Sequence, residues 1–363
     1  MLSFANPSVV EPQPATSDVI NSVPCLDSAW HERAVARLNC LTKPLGSLGR
    51  LEEIAARLVQ IKETEQPHCF QKAIFTMAAD HGVTEEGVSA YPKEVTEQMV
   101  LNFLSGGAAI NVLCRQFGID IVVVDIGVDS EPLSAAGLVN KKVGRGTKNM
   151  ARGAAMTESE VEAAFRVGID LAFSVEREKT LIGIGEMGIG NTTAASAITA
   201  VLTGRPASEV TGHGTGIDAA SLRHKIEVVE RALAVNRPDA SNGFDVLHKV
   251  GGFEIAGLAG LIIGAASRRI PVIVDGFIST AAAAVACVIQ PRAKQFLFAA
   301  HRSNEPGHQA LLEFIGQNPI LDLQMRLGEG TGAALAMAII ESAAKLLNEM
   351  ATFASAGVSG ATA

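Results

Sequence analysis

The sequence predicts an α/β protein: a parallel β-sheet with helices on both faces, Rossmann-like in build, joined by a small helical domain drawn from the two ends of the chain. Three observations predict it. Short apolar runs at 73–79, 121–126, 180–184, 271–274 and 295–300 alternate with helical stretches, each run leading into a Gly-rich or polar turn, and that rhythm marks βαβ units. Of the residues, 48% are hydrophobic and only 4% aromatic, so the apolar content is carried by Ala, Ile, Leu and Val, as suits strands buried on both faces. Polar residues collect at the ends of the runs: Asp80 and His81, Asp125, Glu186, Asp275, and His301 to Ser303. In such sheets ligands bind at the carboxyl ends of the strands.

Taken in chain order, residues 1–23 carry several Pro, Ser and Asn and read as a disordered arm. A helix through 31–38 follows, then the turn Thr42-Lys43-Pro44-Leu45-Gly46-Ser47-Leu48-Gly49, then a second helix with Leu51, Ile54, Ala55, Leu58 and Ile61 on one face. That face needs a partner, and the amphipathic stretch 333–350 supplies one. The division drawn is therefore a helical domain of 24–66 with 333–352, a large α/β catalytic domain of 67–332, and a flexible tail at 353–363. Between them the apolar stretches 255–266 and 278–289, rich in small residues, are too short to span a bilayer and read as buried helices.

Composition excludes several classes of function. A formal charge of −8 and no clustered basic face argue against nucleic acid as a partner. Five cysteines, an odd number without CxxC spacing, predict buried free thiols in a reducing compartment and neither a disulfide framework nor a zinc site. The first 22 residues hold no apolar core of a signal peptide. A cytoplasmic enzyme with no membrane partner is expected.

The chemistry concentrates in Gly183-Ile184-Gly185-Glu186-Met187-Gly188-Ile189-Gly190-Asn191-Thr192-Thr193, where a strand empties into a Gly-rich turn that opens an Ala-rich helix. Such a turn binds phosphate, since glycines let backbone N–H groups approach an anion and the helix dipole points at the same place. Leu327-Gly328-Glu329-Gly330-Thr331-Gly332 repeats the device. Either glutamate alone reads as an ordinary acidic residue of a first helical turn; two in matching turns point to a cleft in which one loop holds phosphate and a carboxylate handles a proton or a developing positive charge. Gly183-x-Gly185-x-x-Gly188 formally matches the dinucleotide fingerprint, yet no acidic residue about 20 positions on has a strand end to stand on. The Lys-Ser/Thr pair of a P-loop is also lacking. His81, His301 and His308 with Asp80 or Glu305 lack the tight spacing of a metal site and read as hydrogen-bond donors in the cleft or as structural packing, so no metal and no cofactor are expected. Asp275 reads equally as a cap of the helix beginning at Phe277 and as a ligand residue.

Together these motifs closely resemble the nicotinate-nucleotide:dimethylbenzimidazole phosphoribosyltransferases of cobalamin biosynthesis. The resemblance runs over nearly the whole chain, from Leu41 to Gly49, through Asp80-His81-Gly82-Val83, Glu86 to Pro92, Val95 to Met99, Ser105 to Asn111, Gly144 to Asn149, the loop at 185–193 and Gly214-Thr215-Gly216. It continues through Gly251-Gly252-Phe253-Glu254, Val274-Asp275-Gly276-Phe277, His301 to His308 and Arg326 to Gly332. His213 and Ala154 depart from residues common in the family, Arg and Pro. The resemblance implies transfer of a 5-phosphoribosyl group from nicotinate mononucleotide to 5,6-dimethylbenzimidazole, giving α-ribazole 5′-phosphate and nicotinate, by a homodimer with sites completed across its interface.

On that reading Glu329 matches the family's catalytic glutamate and accepts the N–H proton of the base, while Glu186 lies by the ribose, hydrogen-bonding a hydroxyl or stabilising positive charge. The N–H groups of Gly188, Ile189, Gly190 and Asn191, with Thr192, form the phosphate cradle. Lys225, Asp275 and Ser303 are further donor-side residues. The acceptor is a flat uncharged aromatic, so its pocket is assigned to Tyr91, Met99, Met187 and Leu327, with Ser89 at its edge. Two rival readings stand beside this one: a non-catalytic nucleotide sensor, which predicts a damaged Glu329 motif, and a dinucleotide-dependent oxidoreductase.

Overall fold

A computed structural model describes residues 14–69, 71–131, 133, 135–177 and 180–359. Six strands, β1 Gln71–Ala79, β2 Asp120–Gly127, β3 Leu138–Asn140, β4 Thr180–Met187, β5 Val272–Val274 and β6 Leu297–Ala299, form one sheet in the order β3-β2-β1-β4-β5-β6. Every pairing is parallel. Five strands overlap the apolar runs of the sequence. The sixth, β3, escapes sequence reading because three half-buried or exposed residues on an edge show neither a run nor an alternation.

The strand order explains where a ligand belongs. From β1 the chain builds outward to β3, then returns to place β4 on the other side of β1 and builds outward again to β6. The crossovers leading away from β1 and from β4 therefore run to opposite sides, which opens a crevice beyond the carboxyl ends of these two strands. Their central position is matched by burial, since all of β1 but its first residue and all of β4 but its last are inaccessible.

Helices cover both faces. Helix Thr331–Glu349 lies over Gly183 of β4, where a Cβ would meet Met337 and Ala333. Helix Phe253–Ser267 covers the opposite face, against Met77 and Ile126 at Gly257. This second helix touches helix Glu158–Phe173 backbone to backbone. Gly168 faces the carbonyl of Gly257 and Gly260 that of Phe165, so closely that any side chain at either glycine would overlap the opposite backbone. Helix Arg50–Lys62 packs on helices Ser28–Asn39 and Thr331–Glu349, and one continuous apolar core runs through sheet and terminal helices alike.

The termini differ from expectation. The described part of the supposed arm, residues 14–23, contains helix Thr16–Asn21, with Val19 and Val23 fully buried and the helix set against Phe253–Ser267; two apolar anchors outweigh the polar composition around them. Residues 1–13 and 360–363 lie outside the described residues. The supposed tail opens with the short helix Phe353–Ala356, capped by Thr352, the last residue of the helical domain before it; Thr352 bridges to Leu41. Cys25 and Cys40 are exposed, contrary to the expectation of buried thiols, which Cys69 and Cys114 meet. Among the described residues no helix is long and apolar enough to cross a membrane.

Candidate active site

A cavity of about 540 Å3 opens beyond the carboxyl ends of the strands. The two Gly-Glu turns meet in its wall. Gly185, in β4, rests against the Glu329–Gly330 peptide so closely that a Cβ there would overlap it, and Thr76 Oγ1 of β1 donates to the Glu329 carbonyl at 3.0 Å. The glycines that mimic a dinucleotide fingerprint thus serve close packing: Gly183 against Ile74 and Met337, Gly185 against the second turn, Gly188 against the Ala79 carbonyl.

Glu329 has φ of 65°, flanked by Gly328 at 90° and Gly330 at 96°. A non-glycine residue held in the left-handed region is under strain, which persists where the surroundings over-determine it. Here the restraint comes from Asp275. Buried at the end of β5, its Oδ2 accepts from Gly330 N–H at 3.1 Å and its Oδ1 from Ala333 N–H at 3.0 Å. Asp275 therefore caps the helix that follows Glu329; it neither caps its own helix, Phe277–Ile289, nor stands in the cavity wall. The reading of Asp275 as the cap of its own helix is corrected: the fold brings two distant turns together, which local spacing cannot reveal.

The two glutamates have different surroundings. Glu186 is 6% exposed; Asn191 Nδ2 donates to its Oε2, and Oε1 lies against Gly328. Burial, opposed by the Asn191 hydrogen bond and reinforced by the charges of Glu254, Asp275 and Glu329, pushes its pKa up to about 8. Glu329 is also raised, chiefly by burial and further by Asp275, with a long contact from Ile110 N–H to its Oε2 acting the other way. At neutral pH Glu186 is protonated.

Of the expected phosphate cradle, Gly188, Ile189, Asn191 and Thr192 line the cavity. The four N–H groups are not all available, however, because Ile189 N–H donates to Thr96 Oγ1 at 3.1 Å and Asn191 N–H to Gly188 O at 3.2 Å. Gly190, at φ 91°, is the N-cap of helix Asn191–Thr203, and a Cβ there would meet Thr84 and His81. Lys225 stands one layer behind, its Nζ donating to Thr192 Oγ1 at 2.8 Å and to Gly212 O at 3.3 Å. Burial lowers its pKa to about 8, partly offset by Glu305. Ser303 lines the wall, and its hydroxyl accepts from Glu305 N–H.

At the acceptor end Met99 and Met187 are half-buried, whereas Tyr91 and Leu327, 55% and 58% exposed, stand at the mouth. Ser89 lies behind Thr215, 3.4 Å from its hydroxyl, and supports the turn through Tyr91 N–H. Arg326, Gly214, Thr215, Phe277, Ile278, His301 and Glu305 also line the cavity; the sequence singles out His301 as a strand-end residue and misses the others as site residues, although most lie in motifs beside residues that it selects. Of the histidines considered for a metal, His81 pairs with Glu254 at 2.7 Å, and His308 donates or accepts at Thr280 Oγ1 and accepts from Ser303 N–H. Burial drives the His308 pKa down to about 3, helped by His301 and Arg302. Among the described residues no three His, Cys, Asp or Glu groups converge as a metal site.

The chain matches the profile of a family described as Phosphoribosyltransferase over residues 23–358. It is 56% identical over 343 residues to the nicotinate-nucleotide–dimethylbenzimidazole phosphoribosyltransferase of Geobacter metallireducens, covering 94% of this chain and 97% of that protein. To the protein of that name in Desulforamulus reducens it is 53% identical, covering 94% and 98%. The crystal structure of the like-named protein from Thermus thermophilus superposes with a TM-score of 0.87 at 44% identity, covering 93% of this chain and 100% of that one.

Proposed function

The chain belongs to the nicotinate-nucleotide–dimethylbenzimidazole phosphoribosyltransferase family, and from that premise we propose that it transfers the 5-phosphoribosyl group of nicotinate mononucleotide to 5,6-dimethylbenzimidazole. The products are α-ribazole 5′-phosphate and nicotinate, the former an intermediate of the cobalamin nucleotide loop. The observation that carries this reading is the make-up of one cavity: its lining joins Arg326, with Lys225 behind Thr192, two buried glutamates, and the apolar surface of Tyr91, Met99, Met187 and Leu327.

The donor phosphate is assigned to the end formed by Thr192, Ser303, Gly214 and Arg326, where cationic side chains and the start of helix Asn191–Thr203 offer favourable charge. One ring nitrogen of the benzimidazole attacks the anomeric carbon from the face opposite the pyridinium, so the β-linked donor gives an α-linked product. The pyridinium nitrogen departs with the bonding electron pair as a neutral pyridine and needs no proton. The proton on the other benzimidazole nitrogen passes to Glu329, which must be ionised to accept it. Glu186, protonated at neutral pH, serves as a hydrogen-bonding group for the ribose rather than as a counter-charge in the free enzyme. Ile189 N–H and Gly190 act in shaping the turn, and Asp275 acts by fixing the backbone of Glu329.

A homodimer completes this proposal. Leu101 and Val112 lie exposed on helices Val95–Ser105 and Ala109–Phe117, the first of which also carries Met99, and apolar surface beside a ligand mouth suits contact with a second copy. Light scattering reads the mass. The function is tested by incubating purified protein with nicotinate mononucleotide and dimethylbenzimidazole and resolving the products by chromatography. α-Ribazole phosphate accompanied by equimolar nicotinate is expected, and its absence at every pH and concentration tried sinks the reading.

A further inference from the structure

Resting on the donor reading above, we propose that His301 binds a ring hydroxyl of the transferred ribosyl group. His301 follows β6, is 1% exposed, and nevertheless lines the cavity. Neither Nδ1 nor Nε2 has a hydrogen-bond partner. A buried polar group left bare is costly, so the site calls for a polar ligand atom or water at that ring. The ring has little freedom to turn elsewhere: a Cβ on Gly332 would overlap its Cδ2 edge, and one on Gly276 would stand 3.3 Å from Nε2. Asp275 Oδ1, the nearest carboxylate, is 3.8 Å from Nε2, beyond hydrogen-bond reach, and both its oxygens already receive backbone N–H groups.

The distribution of charge selects the ligand group. Two cations and one carboxylate gather around Gly214: Arg326 Nη1 donates to the Gly214 carbonyl at 2.9 Å, a Cβ would lie 3.0 Å from Lys225 Nζ, and Glu305 Oε1 accepts from the Gly214 N–H at 3.0 Å, so the cations outnumber the acid there. His301 stands instead beside Asp275, whose charge is felt by Glu186 and Glu329. A phosphate or carboxylate at His301 would face these acidic groups, so the donor's anionic group belongs at the Gly214 end. The aromatic acceptor belongs at the apolar mouth. What remains of the donor is a neutral ring bearing hydroxyls, and an imidazole offers one donor and one acceptor to it.

Calorimetric binding of three donors tests this: nicotinate mononucleotide and its 2′-deoxy and 3′-deoxy forms, each measured on the wild-type protein and on His301→Phe, which keeps ring volume and removes both nitrogens. The expected result is roughly tenfold weaker binding of the natural donor to the variant, as for one lost hydrogen bond, and a penalty within about twofold for the deoxy donor that lacks the contacted hydroxyl. An equal penalty for all three donors, or none for the natural one, overturns the assignment. His301→Asn provides the same comparison should the Phe variant fail to fold. Failure of the natural donor to bind the wild-type protein would overturn the donor reading itself, an outcome distinct from a uniform penalty.

Discussion

Gly185-Glu186-Met187-Gly188 and Gly328-Glu329-Gly330 read almost alike, yet the two turns hold their carboxylates by opposite means. Glu186 is the penultimate residue of β4, in register with Met77 of β1, and its side chain is closed in by Asn191 and Gly328. Glu329 belongs to no strand; its backbone is held at φ 65° by Asp275 from the far side of the turn. In the first turn the strand fixes the backbone and the burial falls on the side chain, which stays protonated near neutrality. In the second the strain lies in the backbone, and the carboxyl is less perturbed. Two carboxyls whose environments push their pKa values apart make an acid–base pair, and the lesson is that near-identical local sequence acquires different chemistry from what the fold brings beside it.

The largest test replaces each glutamate in turn. Glu329→Gln removes the acceptor assigned to the base proton, so kcat at pH 7 should drop by roughly 10²–10⁴ with donor binding retained. Glu186→Gln imitates the form already present at that pH and should lose about tenfold or less. Steady-state kinetics on both variants decides it, and equal losses would erase the distinction between the turns.

Asp275 hydrogen-bonds to the second turn and reaches the first through its charge alone, so Asp275→Ala should separate the two further. The N–H groups of Gly330 and Ala333 would lose their acceptor in a buried place, costing about 1–3 kcal/mol in denaturant unfolding. Misplacing Glu329 should reduce kcat by about 10²-fold. Unchanged kcat in a folded, destabilised protein would show that the strained turn needs no such restraint.

A smaller effect, about tenfold per pH unit on each limb, should appear in the pH profile of kcat/KM. Glu329 must be ionised, so activity should rise with pH through a value above the ordinary 4.5. Glu186 must be protonated, so activity should fall again as pH passes about 8. Glu329→Gln should lose the acid limb and Glu186→Gln the alkaline one; a profile that keeps its alkaline limb in Glu186→Gln would assign that limb elsewhere, with Lys225, also near 8, the first group to test.

Much of this is legible in the sequence. Apolar runs locate five strands because strands buried on both faces are continuous in character, and the polar residues at their ends locate the cavity. What stays illegible depends on contacts between residues far apart in the chain. Asp275 reaches residues 55 and 58 positions away. The Ile189 N–H is taken by Thr96, 93 residues earlier, so counting glycines overstates the cradle. Val19 and Val23 anchor an arm whose composition says disorder, because two well-placed apolar side chains decide what a polar average conceals. Arg326 is visible only as a member of a motif and His301 only as one of several strand-end histidines; nothing local distinguishes a residue that faces a cavity from its neighbour that does not.

The smallest expected effect concerns stability, and it isolates the burial of Glu186 from catalysis. The folded-state pKa of Glu186 is raised to about 8 from an ordinary 4.5, so the native protein holds a proton there that the unfolded chain releases. Its contribution is fully present below pH 4.5 and is lost as pH rises through about 8. Glu186→Gln carries no such titration. Relative to wild type the variant should therefore be little changed near pH 5 and should gain of the order of a few kcal/mol by about pH 8.5, read from urea unfolding at the two pH values. Glu329→Gln, with the smaller perturbation, should show a weaker trend of the same sign. Parallel pH dependence in wild type and Glu186→Gln would mean that the carboxyl of Glu186 is solvated in solution, and the contrast between the two turns would then rest on backbone geometry alone.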